Sequence, residues 1–401
     1  MPEASVLARR LLAAAILAVS VAPTLLLTPT AGAGVKLIAL PQRERVEIRL
    51  EHLGVTLVEE ERTVPLAEGM NDVVFAWANT AIDKSTIQFR AITDPDRVRV
   101  LSVSYPPNEN ALTWQVAAPA AGPAKVRISY VIMGIDKSYE YRAETDKDER
   151  TLTLWQYVQL HNRTPEDFGE SGMSFGFGDR LTRPIGRNET RKILAARFDG
   201  VKVRKTYTAD VASFGMLDPA KQQLRIPMHY VLENQADQGL GRFPLERGKV
   251  RIFQADGSGN SAFLGEDWGQ FAAKDDEWRL SVGIAKDVVV TRIVERRERK
   301  ATMGPLGDFD VIVKYEIENF KDVPVVVDIV ESMPSLRAEI TGNGNLAPQW
   351  EIGSEGTMKE YDREKSNLER VLFRVEAPAR GADQKAVKKV ERLHVMFRNE
   401  W

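Results

Sequence analysis

The chain has no cysteine among its 401 residues. That single absence removes disulfides, thiolate metal sites, cysteine nucleophiles and iron–sulfur clusters. Histidine is nearly as scarce. His52, His161, His229 and His394 are the four present, and no two have HExxH or HxH spacing, so no metal centre is expected. No GxSxG, P-loop or dinucleotide fingerprint occurs, and no cofactor is expected. Ser171–Gly178 is rich in glycine but lies between polar loops with no helix after it, so it cannot cradle a phosphate in the Rossmann manner. Charge is not one-sided either. The formal net charge is −2 and stays near balance without residues 1–33. A nucleic-acid partner needs a concentrated basic face, and none is expected. After residue 33 no apolar run is long enough to span a bilayer, so the mature chain should have no transmembrane domain.

What is present begins at the N-terminus. Arg9 and Arg10 precede an apolar run from Leu11 to Leu27, which ends in Thr30-Ala31-Gly32-Ala33. A charged start, an apolar middle and an Ala-x-Ala end make a signal peptide over residues 1–33. The expectation is an exported protein, periplasmic or extracellular. The alternative is a retained N-terminal membrane anchor, although Ser20, Pro23 and Thr24 interrupt the apolar run. Without disulfides, packing alone must hold the exported chain together.

The dominant period is two. Phe309, Val311, Val313, Tyr315 and Ile317 alternate with charged residues, which predicts a strand with one buried and one wet face. Leu152, Leu154, Val158 and Leu160 form a second such row, opposite Thr153, Trp155, Tyr157, Gln159 and His161. Turn signals such as Glu68–Asn71, Pro106–Asn110 and Asp256–Asn260 separate many short runs of this kind. The spacing predicts an all-β chain of two or three antiparallel β-sandwich-like domains with few short helices. The helix candidates are Met358–Asn367 and Asp383–Val390, the latter equally readable as a loop. Beyond the signal, the expected domains are an N-terminal β domain over 34–122, a central sandwich over 123–234 and a C-terminal sandwich over 235–401. The mixed charge run Glu295–Lys300 is expected on a solvated strand end or loop.

Three segments together carry a family resemblance. One runs from Tyr130 through Gly134 to Tyr141, then Leu152–His161 and Asn162-Arg163-Thr164-Pro165-Glu166-Asp167-Phe168. Another runs from Gly239-Leu240-Gly241 through Pro244-Leu245 and Gly248–Phe253 to Phe263-Leu264-Gly265-Glu266-Asp267. The third comprises Val58–Arg62, Pro65-Leu66, Gly69, Asn71 and Ile82–Thr86. Together they resemble bacterial exported proteins typified by the C-terminal region of mucoidy inhibitor A, a domain of unknown function. The likeness covers most of residues 55–398. Pro165 stands where that family usually has glycine, Phe168 where it usually has tryptophan, and the long coiled coil of some members is absent. The resemblance implies a β-rich exported protein and supplies no catalytic residues.

The chemistry-bearing candidates are few. Glu166-Asp167 and Glu266-Asp267 are adjacent carboxylate pairs. A glycosidase needs two carboxylates about 5 to 10 Å apart across a sugar. Neighbours on a strand point to opposite faces, however, and Asp in a turn caps backbone amides, as Asn162 and Thr164 can. Bracing turns is therefore the first expectation for Asn162, Thr164, Asp256, Gly257 and Gly265. Asp256–Asn260 superficially resembles a calcium loop. Its twelfth position would be Asp267 and its central glycine is misplaced, so a hairpin loop is expected. Asn162-Arg163-Thr164 and Asn188-Glu189-Thr190 fit the N-glycosylation pattern. Trp155, Tyr157 and Trp268, with Trp278, form either an exposed platform for sugar rings or, as first expected, buried packing between sheets. Residues singled out for binding are thus Trp155, Tyr157, Glu166, Asp167, Glu266, Asp267 and Trp268; none is assigned a catalytic role. The reading is a non-catalytic exported β-sandwich protein that binds or scaffolds at the cell envelope. The alternative is a polysaccharide-binding or polysaccharide-hydrolysing protein. The expected partner is accordingly an envelope protein or a polysaccharide.

Overall fold

Alternating apolar residues become strands because a pleated backbone sends successive side chains to opposite faces. The computed structural model describes residues 35–37, 40–52, 54–78, 80–214, 221–303, 306–342, 349–383 and 385–400. The signal reading over 1–33 lies outside these. In chain order the strands are β1 (Val35–Leu37), β2 (Arg45–Arg49), β3 (Thr56–Leu66), β4 (Gly69–Ala76), β5 (Gln88–Ala91), β6 (Arg99–Ser104), β7 (Ala111–Ala118) and β8 (Gly122–Ile132). There follow β9 (Ile135–Thr145), β10 (Thr151–Asn162), β11 (Gly169–Ser174), β12 (Leu181–Ile185), β13 (Thr190–Lys202), β14 (Arg204–Asp210), β15 (Lys221–Leu224) and β16 (Pro227–Glu233). The rest are β17 (Gly248–Ala255), β18 (Ser261–Gly269), β19 (Glu277–Ile284), β20 (Val288–Met303), β21 (Leu306–Asn319), β22 (Val325–Ser332), β23 (Trp350–Ile352), β24 (Arg370–Ala377) and β25 (Val387–Glu400). The chain is all-β, with one α-helix, α1 (Met333–Thr341), among the described residues. No helix there is long and apolar enough to cross a membrane.

Two units form. One takes the described residues up to Leu40 with Val64–Ala76 and Ala91–Ala124; the other takes Pro41–Thr63, Trp77–Arg90 and the described residues from Lys125 onward. The first unit carries the sheet β1-β4-β7-β6, in which Phe75 and Trp114 pack with ring centres 5.9 Å apart.

In the second unit, the sheets β19-β16-β14-β22-β24 and β15-β20-β21-β25-β23 share one apolar core. Val311, Val313, Tyr315 and Ile317 of β21 meet Val327 and Ile329 of β22 there, and Met333, Leu336 and Ile340 of α1 join them. Each such side chain contributes about 1.5–3 kcal/mol on leaving water. A further sheet, β13-β10-β9-β17-β18, takes strands from both sides of position 234. Its strand β10 buries Leu152, Leu154, Val158 and Leu160 on one face. The sheets are mainly antiparallel. Parallel pairings also occur, between β2 and β11, β9 and β17, and β14 and β22. Residues far apart in sequence meet at these joins, which turn signals cannot reveal.

Neither expected helix forms. Residues 358–367 are irregular, because Asp362 Oδ1 accepts the Glu364 and Lys365 amides and Asn367 Oδ1 accepts those of Glu369 and Arg370. Such local bonds compete with the helical ladder. Val387–Val390 pairs with β21 as the start of β25. The real helix follows β22 directly. Ser332 caps it through the Ser335 amide, a proline sits in its first turn, and Gly342 ends it at φ 73°. Those are helix start and stop signals. The charge run Glu295–Lys300 lies within β20.

Candidate functional site

The outer face of the sheet β13-β10-β9-β17-β18 brings four of the residues singled out for binding into neighbouring rows. Directly opposed residues on adjacent strands share a face. In one row Arg197 lies opposite Trp155, Trp155 opposite Arg142, Arg142 beside Arg251, and Arg251 opposite Glu266. In the next row Tyr157 lies opposite Glu140, Glu140 beside Lys249, and Lys249 opposite Trp268.

Cations and rings interleave along these rows. Trp155 has the guanidinium of Arg197 at 5.4 Å and that of Arg142 at 5.7 Å from its ring centre. Arg142 also lies 4.0 Å from the Phe253 centre, and Phe253 meets Phe263 edge-on at 5.4 Å. Lys192 sits 4.5 Å over Tyr157, and Lys249 sits 5.7 Å over Trp268. Such contacts at exposed sites contribute about 0.5–1 kcal/mol each.

Carboxylates hold the cations in place. Glu140 accepts from Lys192 at 2.5 Å and from Arg251 at 3.1 Å. The Lys192 hydrogen bond, against the opposing effect of burial, holds the Glu140 carboxyl below its usual range. Glu266 pairs with Lys249 at 2.9 Å and with Arg251 at 3.4 Å. Arg142 pairs with Glu144 at 2.5 Å, and Arg197 with Asp199 at 2.9 Å.

The aromatics divide between the two expectations. Trp278 is buried, as packing requires, and its ring meets Tyr141 at 5.0 Å. Trp155 and Tyr157 are half-buried under their cations. Trp268 departs from the burial expectation at 54 % exposed, and its strand-mate Phe263 is 59 % exposed. Both lie on β18, an edge strand with no further neighbour in its sheet to cover them.

Glu166 and Asp167 lie elsewhere, in the turn after β10. Asn162, fully buried, builds that turn. Its amide donates to the Glu166 and Gly186 carbonyls at 2.9 and 2.8 Å, and its Oδ1 accepts the Thr164 amide and hydroxyl at 3.0 and 2.7 Å. Thr164 Oγ1 in turn accepts the Glu166 amide at 3.2 Å. The Glu166 carboxylate takes Arg43 at 3.0 Å and the Thr80 hydroxyl at 3.2 Å. Asp167 accepts the Gly169 amide at 2.9 Å. Along β10, the seven-residue step from Trp155, in the row of Glu266, to Asn162 spans roughly 20 Å. The two carboxylate pairs therefore do not face one another across a sugar.

The other acids serve loops and strand joins. Asp267 points away from Glu266. Its Oδ1 accepts the Trp268 amide at 2.8 Å, and its Oδ2 accepts the Ser281 amide of β19 at 2.7 Å. It thus joins two sheets. Asp256 accepts the Ser258 and Asn260 amides at 2.7 and 3.1 Å, with Gly257 at φ 81°. The Ser258 hydroxyl and amide lead in drawing its carboxyl down to about 2. Gly265 lies opposite Ile252 in the ladder. Among the described residues, no group of three His, Asp or Glu side chains is placed to hold a metal.

Sequence reasoning missed Arg142, Arg197, Lys192, Phe253 and Phe263. Alternation placed Trp155 and Tyr157 on a common face, but their neighbours come from β9, β13 and β17, and only register identifies those. No family model matches the chain, and a search of curated proteins finds no match.

Proposed function

We propose that this chain is a non-catalytic binding protein of the cell envelope, and that the outer face of β13-β10-β9-β17-β18 is its contact surface. The supporting observation is the interleaving of rings and guanidinium groups across five strands, with Phe263 and Trp268 exposed at one edge. Aromatic and arginine side chains are the types enriched in binding hot spots. The charged N-terminal start, apolar run and Ala-x-Ala end support export. The test is a photo-cross-linking residue at Phe263 in envelope extracts, with the same residue at Leu368, 80 % exposed, as reference. Selective capture of an envelope component from position 263 supports the proposal. Equal capture from both positions, or none, removes it.

One observation favours a polysaccharide as the partner. Trp268 offers an exposed ring flanked by Lys249 and Arg247 at 5.7 and 5.9 Å from its centre. An aromatic face fits the apolar side of a sugar, and charged neighbours fit its hydroxyls or acidic groups. Binding is proposed and hydrolysis is not, because the Glu166 carboxylate is taken up by Arg43 and Thr80 at the turn after β10 while Glu266 pairs with Lys249 and Arg251 on the outer face, so the two acids do not flank a common site. A glycan array tests this reading; Trp268→Ala should abolish the signal, and silence of the intact protein would end it.

A further inference from the structure

Strand β23 ends its sheet. It has β25 on one side and, among the described residues, no strand on the other. Register decides which of its backbone groups are free. The Gly353 amide donates to the His394 carbonyl, and the Gln349 carbonyl accepts the Arg398 amide. Glu351 lies opposite Met396. In an antiparallel ladder bonded and non-bonded pairs alternate, so Gln349, Glu351 and Gly353 carry the bonds to β25. The N–H and C=O groups of Trp350 and Ile352 therefore point to the open side, where no described residue bonds them.

A groove of about 710 Å³ runs along this edge. Ligand sites commonly enclose about 300–1,000 Å³. Trp350, Glu351 and Ile352 all line it. Side chains alternate between faces, so three consecutive strand residues share a groove only along an edge. Residues of the segment 359–368 form the other wall. The floor is aromatic. Trp350 meets Tyr361 edge-on at 6.5 Å and donates its indole N–H to the Leu368 carbonyl at 2.8 Å. Both rings and Ile352 rest against the apolar core.

Charge in the groove is uneven. Lys359 and Arg363 line it, both exposed, and neither has an ion pair among the described residues. The acid in the lining, Glu351, accepts from Arg398 Nε at 3.1 Å. Asp362 takes Arg374 at 3.0 Å, and neither Glu360 nor Glu364 lines the groove.

We propose that this edge binds an extended acidic peptide, which adds as a further strand beside β23. Its backbone pairs with the open N–H and C=O groups of Trp350 and Ile352. An apolar side chain rests on the floor of Trp350 and Tyr361, and its carboxylates meet Lys359 and Arg363. Strand addition draws affinity from main-chain bonds and specificity from side-chain pockets. The aromatic face belongs to another sheet, so the two proposals fail separately. Leu368 borders the groove, so a component captured from Leu368 and not from Phe263 bears on this site alone.

The test selects short random peptides by phage display on the full chain. The strongest is then titrated as a fluorescein-labelled synthetic peptide, read by fluorescence polarisation. It should carry acidic residues. Methylating its backbone nitrogens one at a time should weaken binding about tenfold at alternate residues and spare those between. Ile352→Pro removes an open-side N–H but no bond to β25, a place where edge strands tolerate proline. It should weaken the peptide about fivefold or more. Arg363→Glu should weaken it about as much, whereas Lys274→Glu, at another exposed position, should not. Circular dichroism checks the fold. Should Ile352→Pro misfold, the methylated peptides on the unaltered protein decide. No selected peptide, selection without acidic residues, a methylation effect that does not alternate, or full binding by Arg363→Glu would overturn the proposal. So would a dimer that Ile352→Pro dissolves, which would give the edge to a second copy of the chain.

Discussion

The Arg142 guanidinium lies 4.0 Å from the centre of the Phe253 ring. Strands β9 and β17, which carry these residues, are parallel neighbours with other strands between them in sequence. The same guanidinium reaches Trp155 of β10 at 5.7 Å and Glu144 at 2.5 Å. One cation therefore ties three strands on a face open to solvent.

That tie should be measurable as coupling. A double-mutant cycle of Arg142→Ala and Phe253→Ala in urea is expected to give an interaction of about 0.5–1 kcal/mol. Strictly additive losses would mean that the ring and the cation ignore each other.

Asn162 and Asp267 brace different kinds of join. Asn162→Ala leaves several buried partners unsatisfied and should cost about 2 kcal/mol. Asp267→Ala releases two amides at a partly solvated strand join and should cost about 1 kcal/mol. Thermal melts of the two variants compare them directly; unchanged midpoints would return both residues to the list of functional candidates.

Glu331 is fully buried and receives Arg292 Nε at 3.1 Å together with the Tyr315 hydroxyl. Burial leads in raising the Tyr315 phenol well above its usual range, so it remains a donor. Glu331→Gln keeps the shape but leaves Arg292, 2 % exposed, with Glu339 alone. Denaturant unfolding should register a loss of about 3 kcal/mol. A loss no larger than a surface substitution gives would show that the buried charge is not held by this acid.

Asp328 sets a pH dependence of the opposite sign from an ion-paired acid. Burial raises its folded-state carboxyl above the unfolded value. Its contribution is therefore fully present below the unfolded value and lost as pH rises through the folded one. At neutral pH the ionised group opposes folding. Asp328→Asn should raise the melting temperature at pH 7, and the gain should shrink towards about pH 3.5. A gain independent of pH would contradict this.

The strands were legible where a single segment decides the outcome. Val311, Val313, Tyr315 and Ile317 alternate, and all four are buried in the core. Trp155 and Tyr157 fall on the face opposite Leu154 and Val158 for the same reason. What the segment does not encode locally is its neighbour. Nothing near Arg142 announces that Arg251 will lie beside it, because that pairing joins two distant strands in parallel. The helix was missed for a different reason. Its apolar residues continue those of β22, so Ser332, Pro334 and Gly342 alone mark its limits. Met358–Asn367 misled in the opposite direction, through polar side chains that bind their own backbone.

Strand β25 occupies an inner position in its sheet, between β21 and β23. The segment 387–400 is therefore needed before the neighbouring strands can enclose their shared interior. A nascent chain that stops short of it has an unsealed layer, with β21 lacking a partner along one edge. Closing this interior therefore waits on pairings such as Ile317 with Lys389, far apart in sequence, and such contacts are slow to form.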